Sequence, residues 1–243
     1  MNDEPESEAL TALATVRPRP RPMSAALASE VGNTAPVRMR RPRRQFAILV
    51  VLSLVYATGV LALLGIRADL AEIRVAWIAV VAIAWFLGFA ATVALVLVPP
   101  RGSMLARWSA ARAIAITTSM AFVILGLSVH PRGPSSVIYG WEKFLHGHAC
   151  LEIGLGVALV PIVIGAIAMR RAHVVRVRWF AFALGAGSGC LGGLLLHFFC
   201  RITDGPHVGL IHGGVVAVAG LLSAWIVPRM IDANRRNIPR PGA

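Results

Sequence analysis

The feature that most constrains this chain is a set of six long apolar segments that carry almost no charge. They span residues 46–66, 77–98, 109–129, 151–169, 179–199 and 209–227. Each is long enough to cross roughly 30 Å of hydrocarbon as a helix, at about 1.5 Å per residue. Because a backbone surrounded by lipid must satisfy its hydrogen bonds internally, such spans are helical. The sequence therefore predicts an all-α, polytopic membrane bundle of about six transmembrane helices.

The composition agrees with this fold class. Hydrophobic residues make up 57% of the 243 residues and charged residues only 14%, whereas about a quarter of a typical soluble domain is charged. The net charge of +13 is concentrated at the ends of the apolar segments. That distribution is typical of contacts with a lipid bilayer and its anionic headgroups, and we expect no direct nucleic-acid binding.

The basic residues also predict the orientation of the chain. Eighteen lysines and arginines fall on one set of segments, residues 1–45, 101–107, 170–178 and 228–243. The alternate connections carry five. Since basic connections remain in the cytoplasm, both termini are predicted to be cytoplasmic, in a multi-pass protein of the bacterial inner membrane.

The predicted organisation has three parts. A largely disordered, basic cytoplasmic tail covers residues 1–45, the six-helix domain covers 46–228, and a second cytoplasmic tail covers 229–243. Two groups of apolar residues in the first tail recur at helical spacing: Leu10, Leu13 and Val16, then Met23, Leu27 and Val31. Two interpretations stay open. The tail either remains disordered and anchors the first helix through its arginines, or folds on a soluble partner through these apolar positions.

Histidines and cysteines gather on the predicted external side. Six of the seven histidines map there, as do two of the three cysteines and one aspartate; the set is His130, His146, His148, His197, His207, His212, Cys150, Cys200 and Asp204. The third cysteine, Cys190, lies inside the fifth span. The placement of these potential ligands and nucleophiles at one predicted membrane face is the most informative detail of the sequence.

The fifth span suggests how these residues meet. Gly185, Gly189 and Gly193 repeat every four residues, which predicts a flat stripe where another helix packs closely. Extending that stripe by helical steps reaches His197 and then Cys200. Both side chains are therefore expected to point into the bundle near its outer surface.

Three interpretations of the cluster compete. In the first, Cys150 and Cys200 form a disulfide or act as redox-active thiols, which an oxidising periplasm permits. In the second, a soft divalent metal binds, with candidate ligands among the cysteines and His146, His148, His197, His212 and Asp204. In the third, the histidines are interfacial side chains bonded to backbone carbonyls. The spacing matches no closed zinc motif, so no cofactor is assigned; a porphyrin held by His197 and His212 is a minor variant.

Catalytic motifs are absent from the sequence. It contains no P-loop, no dinucleotide-binding glycine pattern, no HExxH and no Gly-x-Ser-x-Gly, each of which supplies a specific chemistry. Charge within the spans is limited to Arg112 and Glu152, both near helix ends. These absences argue against an enzyme, and the lack of ionisable groups near the membrane midplane disfavours a transporter.

Several short motifs carry a family resemblance. They are Gly147-His148-Ala149-Cys150, Ala168-Met169-Arg170-Arg171, Leu196-His197-Phe198-Phe199-Cys200, Asp204 and Leu210-Ile211-His212-Gly213. Together with a basic tail and six spans, they resemble the NrsF family of six-helix membrane anti-sigma factors, over roughly residues 38 to 230. The CarR-type anti-sigma factors have a comparable layout.

The resemblance implies a function for both faces. The tail and cytoplasmic loops would hold an extracytoplasmic-function sigma factor at the membrane. Oxidation, or a metal reaching Cys150 and Cys200, would change the helix packing and release it. The alternatives are a small transporter or a metal- or haem-binding membrane protein that uses the external histidines and cysteines, and a structural partner without chemistry.

Overall fold

The computed structural model describes residues 24–25, 41–98, 107–128, 147–170, 176–202 and 204–236. The chain divides into two units, residues 1–40 and 41–243. In the first unit only Ser24 and Ala25 are described. The predicted docking positions of the tail lie outside the described residues: Leu10, Leu13, Val16, Met23, Leu27 and Val31.

The described residues of the second unit form six long helices. In chain order they are α1 (Pro42–Leu64), α2 (Val75–Leu97), α3 (Arg107–Ser128), α4 (His148–Arg170), α5 (Val177–Phe199) and α6 (Gly213–Arg236). A short 3-10 helix, Ala68–Glu72, lies between α1 and α2, and a π-helical turn, His207–His212, leads directly into α6. The described residues contain no strand.

All six helices, the last taken together with its π-helical turn, are long and apolar enough to cross a membrane. The predicted all-α bundle of six spans is therefore confirmed. The bounds of the first five helices differ from the predicted ones by at most four residues, whereas α6 continues nine residues beyond the predicted end at residue 227. The first helix begins at Pro42, because the fixed φ of proline suits the first position of a helix. It ends before Gly65, whose φ of 85° is a conformation that favours glycine.

The central helix of the bundle is α5. It packs against all five other helices, and most of its residues are buried. Its sequence is rich in glycine and alanine, so neighbouring backbones approach closely. Gly192 contacts the backbone of Gly154 in α4, whereas Gly185 and Gly189 contact α6 at Ala219 and Val216.

The predicted glycine stripe does not face a single neighbour. Gly193 meets the ring of Trp85 in α2 rather than α6. Successive residues turn by about 100° around a helix, so each four-residue step advances about 40° and Gly193 lies about 80° from Gly185. A row of glycines at this spacing therefore crosses from the α6 side of α5 to the α2 side.

The outward faces of the helices are strongly apolar. Val55 in α1 exposes 66% of its surface, Val80 in α2 64% and Leu221 in α6 64%. Exposed apolar surface of this extent is costly in water and marks an interaction with another apolar phase. The acyl chains of a bilayer are the surroundings that such faces fit.

A buried ion pair fastens the connection between α1 and α2. Arg67 is only 5% exposed at its side chain, and its Nε and Nη2 donate to the two carboxylate oxygens of Asp69 at 2.7 Å each. The backbone N–H of Arg67 donates to the carbonyl of Phe198 at 3.0 Å, and its Nη2 also donates to the carbonyl of Arg201 at 3.4 Å. The α1–α2 connection is thereby attached to the C-terminal end of α5.

We expect Asp69→Ala to destabilise the bundle by about 3 kcal/mol, because it leaves the Arg67 guanidinium buried without its counter-charge. Glu72→Ala is the matched control, since Glu72 belongs to the same 3-10 helix and is exposed, where ion pairs contribute about 0–1 kcal/mol. Unfolding of the purified protein in detergent, followed by circular dichroism, measures both changes. Equal stability of the two variants would contradict the structural role of the pair.

Candidate functional site

Four side chains meet at one end of the bundle. Cys150 lies in the first turn of α4, Cys200 directly follows α5, and His207 and His212 bound the π-helical turn before α6. Each contributes one potential ligand atom, and these atoms all lie within 4.8 Å of one another. We refer to these four residues as the Cys/His cluster.

The two thiols are adjacent but not bonded. Cys150 Sγ donates to Cys200 Sγ at a distance of 3.6 Å, and both cysteines are free. Cys200 Sγ also lies 3.3 Å from Nε2 of His207. The rings of His207 and His212 are 5.1 Å apart between centroids, at an angle of 76°. The cluster is therefore continuous, with Cys200 at its centre.

The cluster is closed to solvent. Cys150 is 9% exposed, Cys200 5%, His207 0% and His212 4%. Within the described segments, Nδ1 of His207 and Nε2 of His212 are buried without a hydrogen-bond partner. A buried polar group left unsatisfied costs about 1–3 kcal/mol. Burying two imidazoles beside two thiols therefore lowers the stability of the fold. This loss of stability suggests that the residues are present for a functional reason.

The π-helical turn brings the two histidines to the same side. In an α-helix, residues five apart differ by about 140° around the axis and face different neighbours. A π-helix instead joins residues five apart by its hydrogen bonds, and such turns are frequent at functional sites. Here the N–H of Gly213 donates to the carbonyl of Val208, and His207 and His212 are likewise five residues apart.

The position of Cys200 follows from the geometry of α5. It lies eleven residues after Gly189, which corresponds to about 20° of net rotation around the helix. Cys200 thus returns to the side of α5 that Gly189 presents to α6. The pKa of the Cys200 thiol is raised above its ordinary value, first by its hydrogen bond with Cys150 and then by burial.

Only some of the predicted metal-site residues belong to the cluster. Of the candidate histidines that the structure describes, only His212 joins Cys150 and Cys200. His197, the other ligand of the porphyrin variant, is half-buried, and its Nε2 lies 3.3 Å from the carbonyl of Ile78 in α2. That contact is of the kind described by the interpretation in which histidines bond to backbone carbonyls.

The other candidates lie elsewhere. His148 is exposed at the first position of α4, and Asp204 is buried in the connection between α5 and the π-helical turn. His146 lies outside the described residues. Cys190 is fully buried within α5 and does not belong to the cluster. His207 is not among the predicted metal ligands, because its five-residue separation from His212 indicates different faces of a regular α-helix.

The arrangement permits two kinds of chemistry. Two thiols 3.6 Å apart can be oxidised to a disulfide, with loss of two electrons and two protons to an oxidant. Two thiolates and two imidazoles are also a donor set that soft and borderline divalent metals prefer. The four residues could therefore hold a metal ion, although no single sequence segment carries the complete set.

No curated protein and no solved structure matches the chain. A family model described as "Negative regulator of sigma F" matches residues 31–232, about five sixths of the chain. That description makes the family one of anti-sigma factors rather than of enzymes, with a sigma factor as the partner. The match covers all six helices except the last few residues of α6, as well as the Cys/His cluster. The chain belongs to the NrsF family.

Proposed function

We propose that this chain is a membrane-bound anti-sigma factor of the inner membrane that senses envelope stress. It sequesters an extracytoplasmic-function sigma factor and releases it when an oxidant or a heavy metal reacts with Cys150 and Cys200. The observation that carries this proposal is the pair of buried thiols 3.6 Å apart, which links the first turn of α4 to the end of α5. The family match supplies the class of partner.

The distribution of charge supports a sensor on one face and a binding segment on the other. The strongly basic segments include residues 1–45, whereas the cluster lies among the connections with few basic residues. By the positive-inside rule, the tail is then cytoplasmic and the cluster faces the periplasm. An oxidising periplasm is the compartment in which a thiol pair can respond to oxidants.

The packing of α5 supports a route from sensor to partner. Disulfide formation brings the sulfurs of Cys150 and Cys200 about 1.5 Å closer than their present 3.6 Å. α5 contacts all five of the other helices. The close backbone contacts at its glycines leave little space to absorb a movement of α5 locally. A closely packed bundle changes between discrete arrangements rather than deforming continuously. Release requires that the sigma factor bind these two arrangements with different affinities.

The tail is the proposed binding segment for the sigma factor. Its two apolar groups, at residues 10–16 and 23–31, have the spacing of a helix that docks through one face. The basic residues 38–44 would hold this segment beside the membrane. The sigma factor is bound there as a protein, without direct contact between this chain and DNA.

Capture by the full-length protein tests the proposal. Purified protein in detergent is incubated with each extracytoplasmic-function sigma factor of the host, beginning with any encoded in the adjacent reading frame. We expect one of them to be retained, and the housekeeping sigma factor to be excluded. The double variant Leu13→Asp and Leu27→Asp should lose capture, because charge on the apolar positions opposes docking by about 1 kcal/mol or more per site.

The matched control places the same charge on polar positions of the same tail. The double variant Thr11→Asp and Ser29→Asp should retain capture, since neither residue belongs to the apolar groups. Failure of the wild-type protein to retain any sigma factor would refute the proposed partner. Equal capture by both double variants would refute the docking role of the tail.

A further inference from the structure

We propose that the Cys/His cluster binds one zinc ion in the resting protein, through Cys150, Cys200, His207 and His212. Zinc stands here for the borderline-soft divalent cations that prefer sulfur and nitrogen ligands. The regulatory meaning of the site rests on the proposed function, but the site itself rests on geometry. In the resting state the ion ties the start of α4, the end of α5 and the π-helical turn together.

The donor set is that of a structural zinc site. Two cysteine sulfurs and two histidine nitrogens form one of the common closed zinc spheres. None of the four is a carboxylate, so the set disfavours magnesium and calcium, which prefer oxygen ligands. The four ligands come from three separate stretches of the chain, so no single sequence motif contains them.

The interatomic distances fit a tetrahedron around zinc. Bonds of about 2.3 Å to sulfur and about 2.0–2.1 Å to nitrogen give tetrahedral edges of about 3.8 Å between two sulfurs and about 3.6 Å between sulfur and nitrogen. The sulfurs of Cys150 and Cys200 are 3.6 Å apart. Cys200 Sγ is 3.3 Å from Nε2 of His207. These two distances are close to the ideal edges, and the remaining ligand atoms lie within 4.8 Å of one another, so binding requires the ligands to move closer by about 1 Å.

Burial and the unsatisfied imidazoles are a second, independent observation. All four ligands are at most 9% exposed, as in a closed site that leaves no position for water. Among the residues that the structure describes, the buried ring nitrogen without a partner is Nε2 in His212 and Nδ1 in His207. Coordination through Nε2 of His212 would engage a lone pair that the protein otherwise leaves unused. His207 would bind through its other nitrogen, Nε2, which lies 3.3 Å from Cys200 Sγ.

A resident ion would define what the sensor responds to. Zinc binding requires the cysteines as thiolates, so it displaces their protons to solvent. A softer divalent cation such as cadmium can then replace zinc one for one, without a redox step. An oxidant instead converts the two thiolates to a disulfide and releases the ion, with the two electrons passing to the oxidant.

Metal analysis of the full-length protein in detergent tests the site. We expect about one zinc per chain by mass spectrometry of the purified protein, and a tetrahedral spectrum with thiolate charge-transfer bands after cobalt(II) substitution. Each of Cys150→Ser, Cys200→Ser, His207→Ala and His212→Ala should lower zinc affinity by about tenfold or more. His197→Ala and Cys190→Ala should retain the metal, because neither residue belongs to the cluster.

The outcomes separate the site from the function. Monodisperse wild-type protein that binds neither zinc nor cobalt would overturn the proposal, as would unchanged zinc affinity in His207→Ala. If His207→Ala fails to fold, the variant His207→Cys is used, which supplies a sulfur ligand at the same position. The cobalt spectrum of this variant should shift towards that of a site with three thiolates. An unshifted spectrum would count against the proposal. Bound zinc without sigma-factor capture supports the site and refutes the proposed function. Capture without zinc refutes the site alone.

Discussion

We expect Gly192→Leu to leave little folded protein. Gly192 lies against the carbonyl oxygen of Gly154, so a side chain there would overlap the backbone of α4 rather than a mobile side-chain end. Overpacking against a backbone that cannot rotate away costs about 3 kcal/mol or more, which corresponds to about 6–12 °C in the unfolding midpoint for a chain of this size. The measurement is the monodisperse fraction of a fluorescent fusion after heating in detergent.

The same helix pair offers a matched control. Gly156 in α4 is exposed, and a Cβ atom at this position would meet no atom within 4 Å. Gly156→Leu therefore adds an apolar side chain on the lipid-facing surface, where leucine is favourable. This variant should behave as the wild type or slightly better. If Gly192→Leu were as stable as Gly156→Leu, the close contact between α4 and α5 would be wrong.

The second large effect concerns the proposed response to stress. In cells carrying a reporter for the cognate sigma factor, Cys150→Ser and Cys200→Ser should each abolish the change in expression caused by oxidant or heavy metal. Allosteric coupling of this kind is typically about 1–3 kcal/mol, or about 5–150-fold in affinity. Serine can neither form the disulfide nor act as a soft metal ligand, so that coupling should disappear whatever the basal expression becomes.

Cys190→Ala is the control for the thiol variants. Cys190 is fully buried in α5 and lies outside the cluster, so its replacement should preserve the response while removing a thiol from the same protein. Immunoblots of membrane fractions establish that all three variants accumulate. A normal response in both Cys150→Ser and Cys200→Ser would exclude these thiols as the sensor. Loss of response in Cys190→Ala alone would instead identify Cys190 as the sensing thiol.

The six spans could be predicted because length and apolarity act directly on each segment. A helix that crosses hydrocarbon needs about twenty apolar residues whatever its neighbours are, so no tertiary information is required. The exact helix ends depend on local details instead. α1 begins four residues before the predicted span, because Pro42 and the basic residues after it continue the helix beyond the apolar run.

The candidate site could be predicted only in part, because its completion depends on a departure from α-helical geometry. The pairing of Cys150 with Cys200 follows from two cysteines at helix ends on the same predicted side. The role of His207 does not, since its spacing from His212 indicates different faces of an α-helix. Only the π-helical turn places the two rings 5.1 Å apart.

His197 shows what a helical row of residues can and cannot predict. Extending the glycine row along α5 predicts that His197 points inward, and it is half-buried. The same extension ignores the rotation of about 40° at each four-residue step, which turns this part of α5 towards α2. There the carbonyl of Ile78 accepts the imidazole contact. A helical row therefore predicts which residues are inside more reliably than which helix they face.

If the thiols act as the proposed sensor, the attachment of Arg67 to the end of α5 gives the first helix a particular position in signal transfer. The N–H of Arg67 is bonded to Phe198, two residues before Cys200, so a displacement of that thiol pulls on the loop that ends α1. This helix has 23 residues, a length of about 34 Å, and its opposite end continues into residues 1–40. On the proposed function, a change at the thiols would be transmitted through Arg67 and along α1 to the segment proposed to hold the sigma factor.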